Sequence, residues 1–471
     1  MVDCPNAFCQ SFLPRGPEIG KIVMKIRGVL IDMMVDMAPH VYGGYVVYEK
    51  GKRVLYVEVV RALYGMLMSA LLWYKKFRAE LTEFGFKFND YDACVANRMV
   101  NGKQQTIRFH VDDLLASHVD PEVNNELHRW IEYMYGDLGP VKLHRGKEHD
   151  YLGVIYRFHP QYLEIDMVYY VKKMLEDFPV KFDPQVKCTT AAKGDIFDKR
   201  NKGVLPPEQA EVFHKFVAKA LFLCKRGRLD IQPAVAVLCT RVKDPTTHEW
   251  NCLLHMMKYL TATVDLTRKI DTRQLLAILK WWIDASFAVH PDFKSHTGAT
   301  MTGDNKEGGA ILAVSRKQKL NTRSSTESEV VGADDLMTMV LWTALFLEEQ
   351  GYRIEKNIIM QDNKSAILLE TNGRSSAGQR SRAINIRYFF ITDQVARGNA
   401  VIQYCPTDLM MGDFMTKPLQ GSKFTAWRDV IMNSGFNPDP DYLDPDPAQP
   451  QARGLAQMVL SENRYLSFVR I

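Results

Sequence analysis

The sequence predicts two successive units of mixed α and β structure joined by a helical passage, and three observations predict it. A chain of 471 residues is too long for one ordinary core, and at about 150 residues per domain it suggests two or three units. The stretch 179–205 is rich in Pro, Lys and Asp and has no clear period, which marks a linking passage. From residue 275 onward the pattern turns to strands mixed with helices, which argues for a separate α/β unit.

The elements follow in order. VLYVEVV reads as a strand feeding a long helix, RALYGMLMSALLWYKKF, whose apolar residues recur at helical spacing. QQTIRFH alternates on a two-residue period and runs through VDD into LLASHV, a hairpin with acids at its tip. HDYLGVIYRF is a further strand signal, and FHKFVAKALFLCKRGRLDIQPAVAVLCTRV with HEWNCLLHMMKYL makes two or three helices. Strands follow at ILKWWIDASFAVH, TGATMTG and GGAILAVS, then a helix from Ser325, a strand at NIIMQDN and a helix from Lys364. The tail from Asn437 is rich in Pro and Asp and is expected to be disordered.

Composition, at 46% hydrophobic and 24% charged residues, is that of ordinary globular protein. No run approaches the roughly 18 apolar residues of a membrane span, and no basic-then-apolar signal opens the chain, so a membrane or secreted protein is not expected. The eight cysteines (Cys4, Cys9, Cys94, Cys188, Cys224, Cys239, Cys252, Cys405) show no CxxC pair and no histidine at zinc spacing, and read as reduced thiols. The net charge of +5 is mild, so any nucleic-acid affinity must come from local basic clusters.

Carboxylates gathered at one point can hold two Mg²⁺ ions about 3.5–4 Å apart and so carry phosphoryl transfer, and hard oxygen ligands suit Mg²⁺. The hairpin acids Asp112 and Asp113 are one candidate element and Asp3, in VDCPNAF, a second. Neighbouring side chains on a strand point to opposite faces, so Asp112 is expected as the main ligand of the pair. A VDD alone is weak evidence, because acids are common at turns.

The order of segments adds to that. VDCPNAF, RALYGMLMSALLWY, FHVDDL and YLGVIY resemble the palm motifs of copia-type reverse transcriptases. WIDASFAVHPDFKSHTG, RKQKLNTRSSTESEVVGADD, MQDNKSAI and DLMMGDFMTKPL resemble the ribonuclease H segments of the same family, and the resemblance runs to about residue 430. It implies an α+β reverse transcriptase palm and partial thumb over 1–178, a linker and helical connection over 179–274, and an α/β ribonuclease H-like domain with a mixed five-stranded sheet over 275–436, before the tail of 437–471. The fingers are expected to be missing, which should impair the polymerase half.

Carried over by position, Asp3, Asp112 and Asp113 are implied as metal ligands of the polymerase, with Phe8, Leu63, Tyr64 and Gly65 on the nucleotide. Asp284, Glu329, Asp362 and Asp413 are implied as the ligands of the ribonuclease H. Glu329 is preferred to Glu327, because Ser325, Thr326 and Glu327 look like helix capping. Asp334 and Asp335 read as a solvated helix face and Asp292 as a turn residue. The implied cofactor is Mg²⁺, with Mn²⁺ as a substitute, and the implied partners are an RNA template, a DNA primer, an RNA–DNA hybrid and dNTPs, in a cytoplasmic retrotransposon particle or the nucleus.

Two basic clusters flank the second set of acids: Arg316, Lys317, Lys319 and Arg323, then Arg374, Arg380, Arg382 and Arg387. Charge runs are usually solvated faces, but beside a hybrid-cleaving site they are expected to contact phosphates. There are departures from the family pattern. His110 replaces a tyrosine, Met66, Leu67 and Met68 replace L-K-Q, and Ala383 and Asn385 replace a histidine and an acid. The sequence therefore keeps a second reading open, a decayed or co-opted copy that binds nucleic acid without polymerising.

Overall fold

The computed structural model describes residues 1–16, 20–198, 203–274, 276–373 and 385–440. They form two compact units, Met1–Phe88 with Ala93–His144, and Asn89–Asp92 with the chain from Arg145 onward. The strands and helix of 148–177, which the sequence places with the first domain, cluster with the second unit.

The first unit is built on a six-stranded antiparallel sheet in the order Lys87–Phe88, Val95–Val100, Lys103–His110, Asp113–Ser117, Val2–Asp3, Lys142–Leu143. The helices Ser69–Glu83 and Pro121–Tyr135 bury Trp73, Phe77, Leu81, Leu127, Ile131 and Tyr135 in one cluster with the strand residues Ile107, Phe109 and Leu114. The spacing of four between Trp73, Phe77 and Leu81, and between Leu127, Ile131 and Tyr135, places each trio on one helix face. A smaller three-stranded sheet (Val23–Arg27, Lys52–Glu58, Val46–Glu49) closes over Ile26, Ile31 and Leu55.

One expected element differs. The helix expected through RALYGMLMSALLWYKKF begins only at Ser69. Gly65 takes a φ of +89°, the Met66 amide turns back to the Leu63 carbonyl and the Ser69 hydroxyl donates to that same carbonyl at 2.6 Å, so 63–68 is a tight turn that delivers the chain into the helix.

The second unit opens with a four-stranded antiparallel sheet, Glu148–Tyr151, Val154–Phe158, Tyr162–Asp166 and Arg268–Asp271. HDYLGVIYRF is thus a hairpin and not a single strand, because Leu152 and Gly153 both take positive φ (55° and 75°) at its centre. The helices Val168–Asp177, Pro207–Cys224, Gln232–Cys239 and Thr247–Ala262 follow. Then comes a mixed five-stranded sheet in the order Leu312–Lys317, His296–Thr302, Ile278–Ser286, Lys356–Gln361, Val401–Tyr404, in which the first three strands are antiparallel and the last two join in parallel.

The helix Ser325–Glu349 is long and apolar enough to cross a membrane by length and composition alone, which the sequence reading did not flag. Its Val330, Val331, Ala333, Leu336, Met337 and Val340 are buried in this unit, the usual reason for a helix of that composition in a soluble core. Of the expected tail, 441–471 lies outside the described residues.

Candidate metal centres

Three of the four acids of the second set, Asp284, Asp362 and Asp413, converge. Asp284 lies near the end of the central strand Ile278–Ser286, Asp362 directly follows the parallel strand Lys356–Gln361, and Asp413 opens the short helix Asp413–Thr416. One oxygen from each lies within 4.8 Å of the others, although Asp284 and Asp413 are 2% exposed. Two glycines let the third segment approach the sheet. A Cβ on Gly298, the strand partner of Asp284, would sit 2.7 Å from the backbone carbon of Met415, and one on Gly412 would sit 2.9 Å from the Trp282 carbonyl oxygen and 3.0 Å from Asp284 Cβ.

Glu329 and Glu327 part company in this structure. Glu327 turns back on the helix start, where its carboxylate accepts the Arg323 amide at 2.8 Å and its own amide donates to Ser324 Oγ. Glu329 is 5% exposed, its Oε2 has no hydrogen-bond partner, and burial first, then Asp284 and Asp362, holds its carboxyl well above the usual range. Burial likewise pushes Asp284 up to about 6, against the opposing pull of Lys417.

Side chains that sequence reading missed complete the cluster. Lys417 Nζ lies 2.5 Å from Asp413 and 3.7 Å from Asp284, and Lys423 lies 3.9 Å from Asp413. The Thr416 hydroxyl donates to Asp284, and the Thr407 hydroxyl to Asp362 at 2.9 Å. The run DFMTKPL held the signal for Lys417, since a lysine four residues after an acid on a helix lies beside it. Every donor on the carboxylate trio is a hard oxygen, and the ammonium of Lys417 sits where positive charge is needed, so the site fits a small divalent cation.

In the first unit, Asp3 pairs across the sheet with Asp113, and Asp112 lies in the two-residue turn of the Lys103–His110 and Asp113–Ser117 hairpin, as the sequence expects of acids at a tip. That turn holds Val111 at a φ of +57°, and its carbonyl accepts the Trp73 indole N–H at 2.6 Å. Burial chiefly, with the charges of Asp3, Asp112 and Asp113, pushes the Cys4 thiol up to about 12, so all three acids act on one point. Their oxygens are not one of the groups that close to within 4.8 Å among the described residues. Phe8 and Tyr64 pack with ring centroids 4.6 Å apart and planes tilted by 45°; burial, Asp112 and Asp3 are among the causes that raise the Tyr64 hydroxyl. Leu63 and Gly65 form the turn beside them.

The basic clusters are partly engaged within the fold. Arg316 donates to the Asp335 carbonyl at 2.6 Å, Lys317 pairs with Asp292 at 2.7 Å, and Arg387 forks between Asp334 and Asp335 at 2.6 and 2.8 Å. Asp334 and Asp335 are therefore half-buried ion-pair partners of Arg387 and not a solvated face, and Asp292 has a lysine partner. Lys319 and Arg323 are exposed. Arg374, Arg380, Arg382 and Ala383 lie outside the described residues.

No family model matches the chain. It is 25% identical over 394 residues to the Retrovirus-related Pol polyprotein from transposon TNT 1-94 of Nicotiana tabacum, covering 81% of this chain and 28% of that protein. It is 26% identical to the Pol polyprotein from transposon RE1 of Arabidopsis thaliana (79% of this chain, 24% of that protein). It is 22% identical to the Transposon Ty1-DR1 Gag-Pol polyprotein of Saccharomyces cerevisiae (77% and 21%). Among solved structures, Prototype Foamy Virus Protease-Reverse Transcriptase aligns at 12% identity and a TM-score of 0.22, over 78% of this chain and 41% of that one. The chain thus spans about a quarter of the length of these curated relatives. By sequence, the chain is a relative of the Pol polyproteins of copia-type retrotransposons.

Proposed function

We propose that the second unit is a Mg²⁺-dependent ribonuclease H that cleaves the RNA strand of an RNA–DNA hybrid, and that the first unit is the palm of an RNA-directed DNA polymerase. The observation that supports this reading most is the convergence of Asp284, Asp362 and Asp413 from three separate elements to within 4.8 Å. Asp284, Glu329, Asp362 and Asp413 would hold the metal, and Mn²⁺ would fit the same oxygens. When bound, the cation supplies charge stabilisation for an attacking water and a leaving phosphate oxygen.

The chain's own groups set the stage for that chemistry. Thr416 and Thr407 orient the carboxylates of Asp284 and Asp362, so little reorganisation is needed on binding. Lys417 balances the acids, which lets three carboxylates be held together. Lys319 and Arg323, exposed before the long helix, and Arg374, Arg380 and Arg382 of the second cluster would contact phosphates of the hybrid without reading sequence, whereas Arg387 is held by Asp334 and Asp335. In the first unit, Asp3, Asp112 and Asp113 would hold the polymerase metals, with Phe8, Leu63, Tyr64 and Gly65 beside the incoming dNTP, an RNA template and a DNA primer. The setting would be a cytoplasmic retrotransposon particle.

A gel assay with a labelled RNA–DNA hybrid and Mg²⁺ tests the nuclease. The Asp362→Asn variant keeps the shape of the side chain but lacks its charge, so cleavage should fall by at least about 10²-fold while folding stays unchanged. Unaltered cleavage by this variant at limiting Mg²⁺ overturns the assignment. Hybrid binding without cleavage by the unaltered chain would instead favour a nucleic-acid-binding relic.

A further inference from the structure

The passage 179–206 raises a separate question. Among its described residues it forms no helix or strand beyond a single bridge between Val204 and Thr246, yet Thr190, Ala191, Ala192 and Ile196 are buried. Without backbone ladders, side chains must hold it down. Most of the anchors come from one face of the helix Thr247–Ala262, on which His248, Cys252 and His255 recur at spacings of four and three. His255 Nε2 reaches the Thr190 carbonyl at 2.9 Å and lies 3.7 Å from Cys188 Sγ. One turn earlier, Asp195, His248 and Cys252 each offer a ligand atom within 4.8 Å of the other two.

We propose that Asp195, His248 and Cys252 form a structural zinc site that staples this passage to the helix. The donor set decides the metal. A thiolate and an imidazole select zinc over Mg²⁺, and a carboxylate is an ordinary third ligand. The spacing is already close to that of a zinc tetrahedron. With Zn–S near 2.3 Å and Zn–N near 2.0 Å, two such ligands stand about 3.5 Å apart, and Cys252 Sγ lies 3.8 Å from His248 Nε2. The i, i+4 placement on a helix needs no backbone change to bring them together. His248 is 3% and Cys252 2% exposed, so the ion would be shielded from solvent, with a further donor closing the tetrahedron.

Protein contacts compete with the ion. His248 Nε2 bonds the Asp195 carbonyl oxygen at 3.1 Å, and Lys193 Nζ stands 3.8 Å from Asp195 Oδ1. A zinc ion would replace the first and displace the second. Cys252 has a histidine at i−4, which corrects the sequence reading that no histidine stands at zinc spacing from a cysteine.

Metal analysis of the full chain, purified without chelators, tests the proposal, and Co²⁺ replacement gives a second readout. Close to one zinc per chain is expected, along with a thiolate-to-cobalt charge-transfer band after exchange. Cys252→Ser should remove both, whereas Cys188→Ser, beside His255, should leave both intact. His248→Gln should cut zinc content several-fold, and a chelator should lower the melting temperature of the unaltered chain but not of Cys252→Ser. Zinc-free protein that gives no thiolate band with Co²⁺ overturns the site, as does a band that survives Cys252→Ser. Hybrid cleavage does not enter any of these readouts, so the site stands or falls apart from the nuclease.

Discussion

Glu370 lies near the end of the helix Lys364–Asn372 with its side chain fully buried and neither carboxylate oxygen hydrogen-bonded. Burial pushes its carboxyl up to about 8, and its charge adds to the influences that raise Glu329. The folded chain therefore holds this proton where the unfolded chain, with a carboxyl near 4.5, has released it. Between those two values stability falls as pH rises, and above about 8 the loss is complete. Asp284 and Glu329, both raised, add slopes of the same sign. Replacing Glu370 by Gln keeps the shape and removes only its share. Urea unfolding in metal-free buffer at pH 5 and pH 8 should show the variant losing less stability across that interval than the unaltered chain, by on the order of a few kcal/mol. Equal losses would mean that the Glu370 oxygens are solvated.

At the scale of elements, the acids meet because glycine stands where backbone must touch backbone. Gly412 carries the Met410–Thr416 segment against the Trp282 carbonyl, and a methyl there would push Asp413 away from Asp284. Gly412→Ala should therefore lower hybrid cleavage by at least about 10²-fold, since displacements of about 1 Å are costly in catalysis, while circular dichroism stays near that of the unaltered chain. Cleavage at the original rate would show that the segment can yield. Little of this was legible beforehand. Period and turn residues marked the strand of Asp284, the helix of Glu329 and the hairpin of Asp112, because those signals are local. The close approach of Gly412 to Trp282 depends on a crossing of segments far apart in sequence, which no local pattern records. Lys417 escaped notice for a simpler reason, since a lysine near an acid on a helix usually faces solvent. The turn at Gly65 was hidden by apolar residues that keep a helical spacing even where the chain does not wind.

At the scale of the whole molecule, the two carboxylate sets fall in different compact units, so their proposed activities should be separable. Asp112→Asn should abolish primer extension on an RNA template and leave hybrid cleavage intact, with Asp362→Asn doing the reverse. Loss of both activities in either variant, with the fold retained, would place the two chemistries in one site. The nuclease set is also spread unevenly along the chain. Asp284, Glu329 and Asp362 come in order, but Asp413 and its companions Thr416 and Lys417 arrive last and dock against the sheet already laid down, over Gly298. Contacts of such long sequence separation form late. A chain still emerging from the ribosome consequently carries three of the four acids of the proposed site, and that site stays open-sided until translation has passed the segment that brings Asp413.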